Sequence, residues 1–204
     1  MSPAIKFGTS GWRAIVADEF TVANIRLAVA GIAAYVKTLP RPHRVLVGRD
    51  PRFLGESFVA EAARVLAGSG VAPIVISDAA PTPAIAYAVG SMKTSGAINF
   101  TASYNPPEYN GIKFSTHNGA PALPEVTKQI ESAIGQIAAG VGKVTCGHPP
   151  DNGFETADVK PAYLQAGLDQ VAASYGSMHH YAHQGLGLSN ETIAKLRDRL
   201  LTGA

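Results

Sequence analysis

Ser103 is the residue around which chemistry is most readily built. It lies in Thr101-Ala102-Ser103-Tyr104-Asn105-Pro106-Pro107-Glu108-Tyr109-Asn110-Gly111-Ile112-Lys113-Phe114, directly after the apolar run Ala97-Ile98-Asn99-Phe100. Two consecutive prolines and an Asn-Gly step stiffen such a loop, so a hydroxyl within it faces one direction. Two readings stand side by side. In one, Ser103 is a reacting hydroxyl at the rim of a sheet, where open α/β folds place their active sites. In the other, Ser103 and Asn105 only cap a turn and Lys113 is a solvated strand residue. An α/β-hydrolase elbow is excluded, because the Gly-x-Ser-x-Gly spacing is absent.

The elements that must position this loop follow from apolar spacing. Val45-Leu46-Val47, Ile74-Val75-Ile76 and Ala97–Phe100 are short continuous apolar runs, as expected for strands covered on both faces, and Gly111–Phe114 reads as one more. Between them, Ile25, Ala28, Val29, Ile32 and Val36 recur at helical spacing behind a Thr21 cap, and Phe58, Ala62, Val65 and Leu66 mark a second helix. Thr82-Pro83 heads a short third helix, with Thr82 as its expected cap, and Pro124 opens a fourth carrying Val126, Ile130, Ile134 and Ile137. This alternation predicts a three-layer α/β/α domain with a mostly parallel mixed sheet over residues 1–142. A Gly- and Pro-rich linker is expected over 143–158, then a short helical remnant or unrelated tail over 159–204, where Ser189 caps the last helix. Gly176 to Gly187 shows no helical stripe.

Composition narrows the function classes. The 204 residues are 46% hydrophobic and 16% charged with a net charge of +2, which describes a globular chain rather than a nucleic-acid-binding tract. No apolar run approaches the roughly 18 to 20 residues of a membrane span, and the first residues lack a secretory core, so a cytoplasmic address is the expectation. The lone Cys146 closes no intrachain disulfide, and no Cys/His spacing fits zinc.

The loop around Ser103 closely resembles the phosphoserine loop of the α-D-phosphohexomutases, the phosphoglucomutase and phosphomannomutase family. Three further stretches match in family order: Phe7-Gly8-Thr9-Ser10-Gly11-Trp12-Arg13, Val47-Gly48-Arg49-Asp50-Pro51-Arg52, and Pro81-Thr82-Pro83. The resemblance covers residues 5 to about 140. It implies an intramolecular phosphotransferase in which Ser103 passes a phosphoryl group to a hexose phosphate that turns over and returns its other phosphate. Lys113 is then the general acid or base, and Arg13 reaches the phosphoryl oxygens with its forked donors. The resemblance further implies that Thr9, Ser10, Tyr104 and Asn105 help bind substrate, that magnesium is held through the Ser103 phosphate, and that a hexose bisphosphate is the activator. Tyr104 replaces a common histidine, which removes a group titrating near neutral pH. Gly48–Arg52 either supports the site from the neighbouring strand or serves only a structural Asp50 to Arg ion pair.

The resemblance also implies three more domains, with a magnesium loop, a sugar-reading loop and a phosphate-binding loop, and no stretch here matches them. The expectation is therefore a first domain cut from a longer mutase, its partners being a hexose phosphate and the missing domains or a second copy. The alternative is a non-catalytic domain or partner-binding module.

Overall fold

The computed structural model of the chain describes residues 5–8 and 11–201. Its contacts fall into two compact units, Met1–Val159 and Lys160–Ala204. The first unit runs β1 (Trp12–Ile15), α1 (Val22–Val36), β2 (Arg44–Arg49), α2 (Gly55–Gly68), β3 (Ala72–Ile76), α3 (Thr82–Ser91), β4 (Gly96–Phe100), β5 (Tyr109–Thr116), α4 (Pro124–Ala138) and β6 (Glu155–Ala157). The strands make one mixed sheet in the order β1-β5-β4-β2-β3-β6. Its centre is parallel, β2 pairing with β3 and β4 and β3 with β6, while β5 runs antiparallel to both β4 and β1.

The apolar runs become central strands because both of their faces are covered. All five residues of β4 are buried. On one face Val45, Val47, Ile98, Phe100, Ile112 and Phe114 join a single core with residues of α1, α2 and α4. The helical spacing is realised, since Ile25, Ala28, Val29, Ile32 and Val36 are all buried and the Thr21 hydroxyl accepts from the Asn24 amide at 3.3 Å. Gly31 lets α4 approach α1, because a Cβ there would lie 2.4 Å from Ile134 Cγ1. On the opposite face α3 packs over β2, its Ile85 filling the space in which Gly48 has no side chain. Helices on both faces of a mixed sheet are the expected three-layer architecture.

Three features differ from the expectations. Thr82 is the first residue of α3 rather than its cap, and its hydroxyl instead accepts from Asn99 Nδ2 at 2.9 Å. The stretch 143–158, read as a linker and largely exposed, is anchored to the first unit at several points. Val144 and Cys146 pack against the core, the Gly147 amide donates to the Arg64 carbonyl at 2.8 Å, and β6 extends the sheet. β6 has no apolar run to betray it, because it is held by backbone pairing and by Arg44 Nη2, which donates to both Glu155 carboxylate oxygens at 2.7 and 2.9 Å. Finally, Gly176 to Gly187 holds helical turns although the sequence shows no helical stripe there.

That last stretch belongs to the second unit, which contains α5 (Lys160–Tyr175), a three-residue α6 (Met178–His180), a π turn over Tyr181–Gly185, and α7 (Asn190–Leu201). The π turn closes around aromatic contact. The rings of Tyr175 and Tyr181 lie 5.2 Å apart, and a Cβ on Gly185 would come within 2.7 Å of Tyr181. Ser189 caps α7 as expected, accepting from the Thr192 amide at 3.1 Å. Among the described residues no helix is long and apolar enough to cross a membrane.

Candidate active site

The Ser103 loop begins where β4 ends. Thr101 and Ala102 are still buried, and the Thr101 amide donates to the Gly111 carbonyl at 3.0 Å, which ties the start of the loop to β5. The Thr101 hydroxyl then accepts from the Ser103 amide at 3.0 Å. This local turn carries Ser103 into the left-handed region, with φ +57°. A non-glycine residue held there costs on the order of 1–2 kcal/mol, so the surroundings must enforce it.

Arg52 enforces it. Its Nη1 donates to the carbonyls of Pro106 and Tyr109 at 2.8 and 3.0 Å, and its Nη2 to those of Ser103 and Asn105 at 2.9 and 2.7 Å. Its Nε lies 3.3 Å from Asp50 Oδ2, while Asp50 Oδ1 accepts from the Arg52 amide. Asp50 is itself anchored, because its amide donates to the Phe100 carbonyl at 2.9 Å. One planar fork thus fastens four carbonyls of the loop to the end of β2. The spacing Asp50-Pro51-Arg52 marked support for the site, but the fork's acceptors are backbone atoms and leave no trace in side-chain types.

β1 and β5 bring the cations. Arg13 pairs with Gly111 across the two strands, and a Cβ on Gly111 would stand 2.9 Å from Arg13 Cγ, so the missing side chain lets the arginine stem cross its partner. Its guanidinium carbon lies 5.8 Å from the centre of the Tyr104 ring, a ring that is otherwise 88% exposed. Arg13 Nε is buried and unpartnered. Lys113 stands two residues beyond Gly111 on the same face of β5. Burial, with the charge of Arg13 acting in the same direction, holds its ammonium below the ordinary lysine range, and Asp50 opposes this. Lys113 also lines a cavity of about 90 Å³ with Phe7, Gly11, Thr82 and Thr127. Asn99 pairs with Lys113 from β4, and its Oδ1 is another buried atom without a partner.

The structure therefore groups Arg13 with Tyr104 of the Ser103 loop, and Arg13 with Lys113 and Asp50 through their charges. Asn105 contributes a carbonyl to the Arg52 fork, and its buried side-chain oxygen has no partner. Thr9 and Ser10 lie outside the described residues. Neither Arg13 nor Lys113 has an ion-pair partner among the described residues, so their charges remain available to an anion. An orphaned, buried guanidinium donor costs on the order of 1–3 kcal/mol, a cost that a bound oxyanion removes. No three His, Cys, Asp or Glu side chains converge on a possible metal among the described residues. Asp50, the carboxylate that Lys113 feels, already faces Arg52.

Comparisons with known proteins agree with this geometry. Residues 4–140 match the family model described as phosphoglucomutase/phosphomannomutase, alpha/beta/alpha domain I. A second model, described as tyrosine phosphatase family, matches residues 115–202 and takes in the tail beyond the first match. The chain is 34% identical over 139 residues to a phosphoglucomutase of Staphylococcus saprophyticus, covering 65% of this chain and 25% of that protein. It is 38% identical over 149 residues to a phosphoglucosamine mutase of Thermobifida fusca, covering 68% of this chain and 32% of that one. A Thermus thermophilus protein described as a phosphomannomutase superposes with a TM-score of 0.73 at 34% identity, over 86% of this chain and 38% of its own. The chain spans about a quarter to a third of the length of the curated relatives named here. With a mixed α/β/α sheet, a serine loop at the end of a buried strand and a family match over most of its length, the chain belongs to the phosphoglucomutase/phosphomannomutase family, through that family's α/β/α domain I.

Proposed function

We propose that this chain carries the phosphoserine half-site of a hexose-phosphate mutase, with Ser103 as the residue that accepts and returns the phosphoryl group. The observation that carries the reading is the half-buried pair Arg13 and Lys113, without ion-pair partners among the described residues, which feel each other's charge while Arg13 lies over the Tyr104 ring of the clamped Ser103 loop. In the accepting step, Lys113 in its neutral form takes the Ser103 hydroxyl proton, the Oγ–P bond forms, and the sugar O–P bond breaks. The proton on Lys113 then passes to the leaving sugar oxygen. The lowered Lys113 value supports this role, because a larger neutral fraction is present near neutrality than for an exposed lysine. Arg13 directs guanidinium donors at the moving oxygens, and the Arg52 fork keeps the hydroxyl from swinging away.

Thr9, Ser10, Tyr104 and Asn105 belong to the proposal as substrate contacts. A magnesium ion would neutralise charge on the transferring group, with the phosphoserine as one ligand. The described residues offer no set of carboxylates to complete its shell. A hexose bisphosphate activator and a cytoplasmic address are parts of the same proposal. The same lack of a carboxylate set favours, as a second reading, a partner-binding domain that keeps the loop as scaffold.

The test is phosphorylation of the 204-residue chain by a hexose 1,6-bisphosphate, read by intact mass and peptide mapping. One phosphoryl group on Ser103, absent in Ser103→Ala and slowed in Lys113→Met, is expected. No phosphorylation, or phosphorylation elsewhere in the chain, would favour the scaffold reading.

A further inference from the structure

The end of the sheet opposite the Ser103 loop holds a second concavity. It has a volume of about 340 Å³ and is walled by three separate connections: the α1–β2 segment with Leu39, Pro40, Arg41 and Pro42, the α3–β4 turn with Lys93, and the β5–α4 turn with His117. Its floor is fixed. Thr94 and Ser95 are buried, the Ser95 hydroxyl donates to the Pro42 carbonyl at 2.5 Å, and the Ser95 amide donates to the Arg44 carbonyl at 2.8 Å. The Thr94 hydroxyl donates to the Gly96 carbonyl at 3.3 Å. Both hydroxyls are therefore engaged, and recognition falls to Arg41, Lys93 and His117.

Those three are basic, and among the described residues no acidic side chain lines the cavity. None of the three has an ion-pair partner among the described residues. Arg41 and Lys93 carry permanent positive charge and His117 adds a ring nitrogen, so the exposed rim of the concavity is complementary to an anion. The volume exceeds what a bare phosphate fills and lies in the range of small-molecule sites, and the leucine and the two prolines offer an apolar wall. We propose that this pocket binds a small organic phosphate, its phosphate held by Arg41, Lys93 and His117 and its apolar body laid against Leu39, Pro40 and Pro42. The pocket is distinct from the Ser103 site, since β4, about 16 Å long, separates the two ends.

Phenyl phosphate is a suitable probe, with inorganic phosphate as the comparison, added to the full chain and followed by backbone amide NMR. Saturable shifts at Lys93, Thr94, Ser95 and His117 are expected, with phenyl phosphate about tenfold tighter than phosphate. A double variant, Arg41→Ala with Lys93→Asn, should weaken binding at least about tenfold. Asparagine is chosen because Lys93 has φ +51°, a conformation that asparagine tolerates. Arg13→Ala with Lys113→Met should leave these shifts unchanged. Absence of saturable shifts at the four amides, equal affinity for the two probes, or unchanged binding in the Arg41/Lys93 variant would each overturn the proposal.

Discussion

The two sides of the β1–β5 pair share one backbone and have opposite characters. Trp12, Ala14, Ile112 and Phe114 point into the core beneath α1, α2 and α4 and are at most 5% exposed. Arg13, Gly111 and Lys113, the residues between them, occupy the other side. The strand alternation that puts apolar groups inward necessarily presents the intervening positions together on the opposite face. Chemistry and stability are thus only one residue apart, yet they answer to different forces. The inner side is held by packing, and the outer side carries two charges without ion-pair partners among the described residues.

The largest test of that contrast is Ile112→Ala. The side chain is fully buried, and its truncation should cost about 2–5 kcal/mol in urea unfolding with no change in the denaturant slope. A loss near zero would mean that the inner side is not the stabilising one. At the Ser103 loop, Arg52→Ala frees four carbonyls and leaves Asp50 without the arginine it faces. It should cost about 1–3 kcal/mol and slow Ser103 phosphorylation further than that loss of stability explains. Arg52→Lys should not restore the rate, because an ammonium cannot span the same acceptors.

A third variant separates function from strain. Ser103→Gly removes the hydroxyl and also the left-handed penalty, so it should be more stable than Ser103→Ala by about 1 kcal/mol while neither accepts phosphate. Equal melting of the two would show that Ser103 is not strained.

The smallest effect is expected from Lys113→Met. In the folded chain the ammonium loses its proton below the ordinary lysine value of about 10.4, so the unfolded chain binds more protons between the two values. Stability should therefore rise with pH across that alkaline window, and the burden of the buried charge is full below it. Lys113→Met should flatten this slope, as read from urea midpoints at neutral and alkaline pH. An unaltered slope would remove burial as the cause.

Much of the fold was legible because the elements of the first unit carry regular apolar signals. The buried runs of β2, β3 and β4 and the stripes of α1, α2 and α4 all appear where periodicity places them. β6 was not legible, since Glu155-Thr156-Ala157 joins the sheet through backbone atoms and an ion pair 111 residues away in sequence. The site divides in the same way. Ser103, Lys113 and Arg13 stand in motifs, whereas the four-carbonyl fork of Arg52 involves acceptors that every residue type possesses. The pocket of Arg41, Lys93 and His117 combines residues from three distant turns and has no linear signature.

What the sequence determined alone is the alternation: which residues turn inward, where strands yield to helices, and that a stiff serine loop follows a buried strand. Tertiary structure decided which charges meet. Arg13 and Lys113 are far apart in the chain, and only antiparallel pairing of β1 with β5 sets them on one face. Apolar burial is a property of each residue type and its spacing, and so it can be read locally. Electrostatic coupling depends on distance through space, which the chain order does not encode.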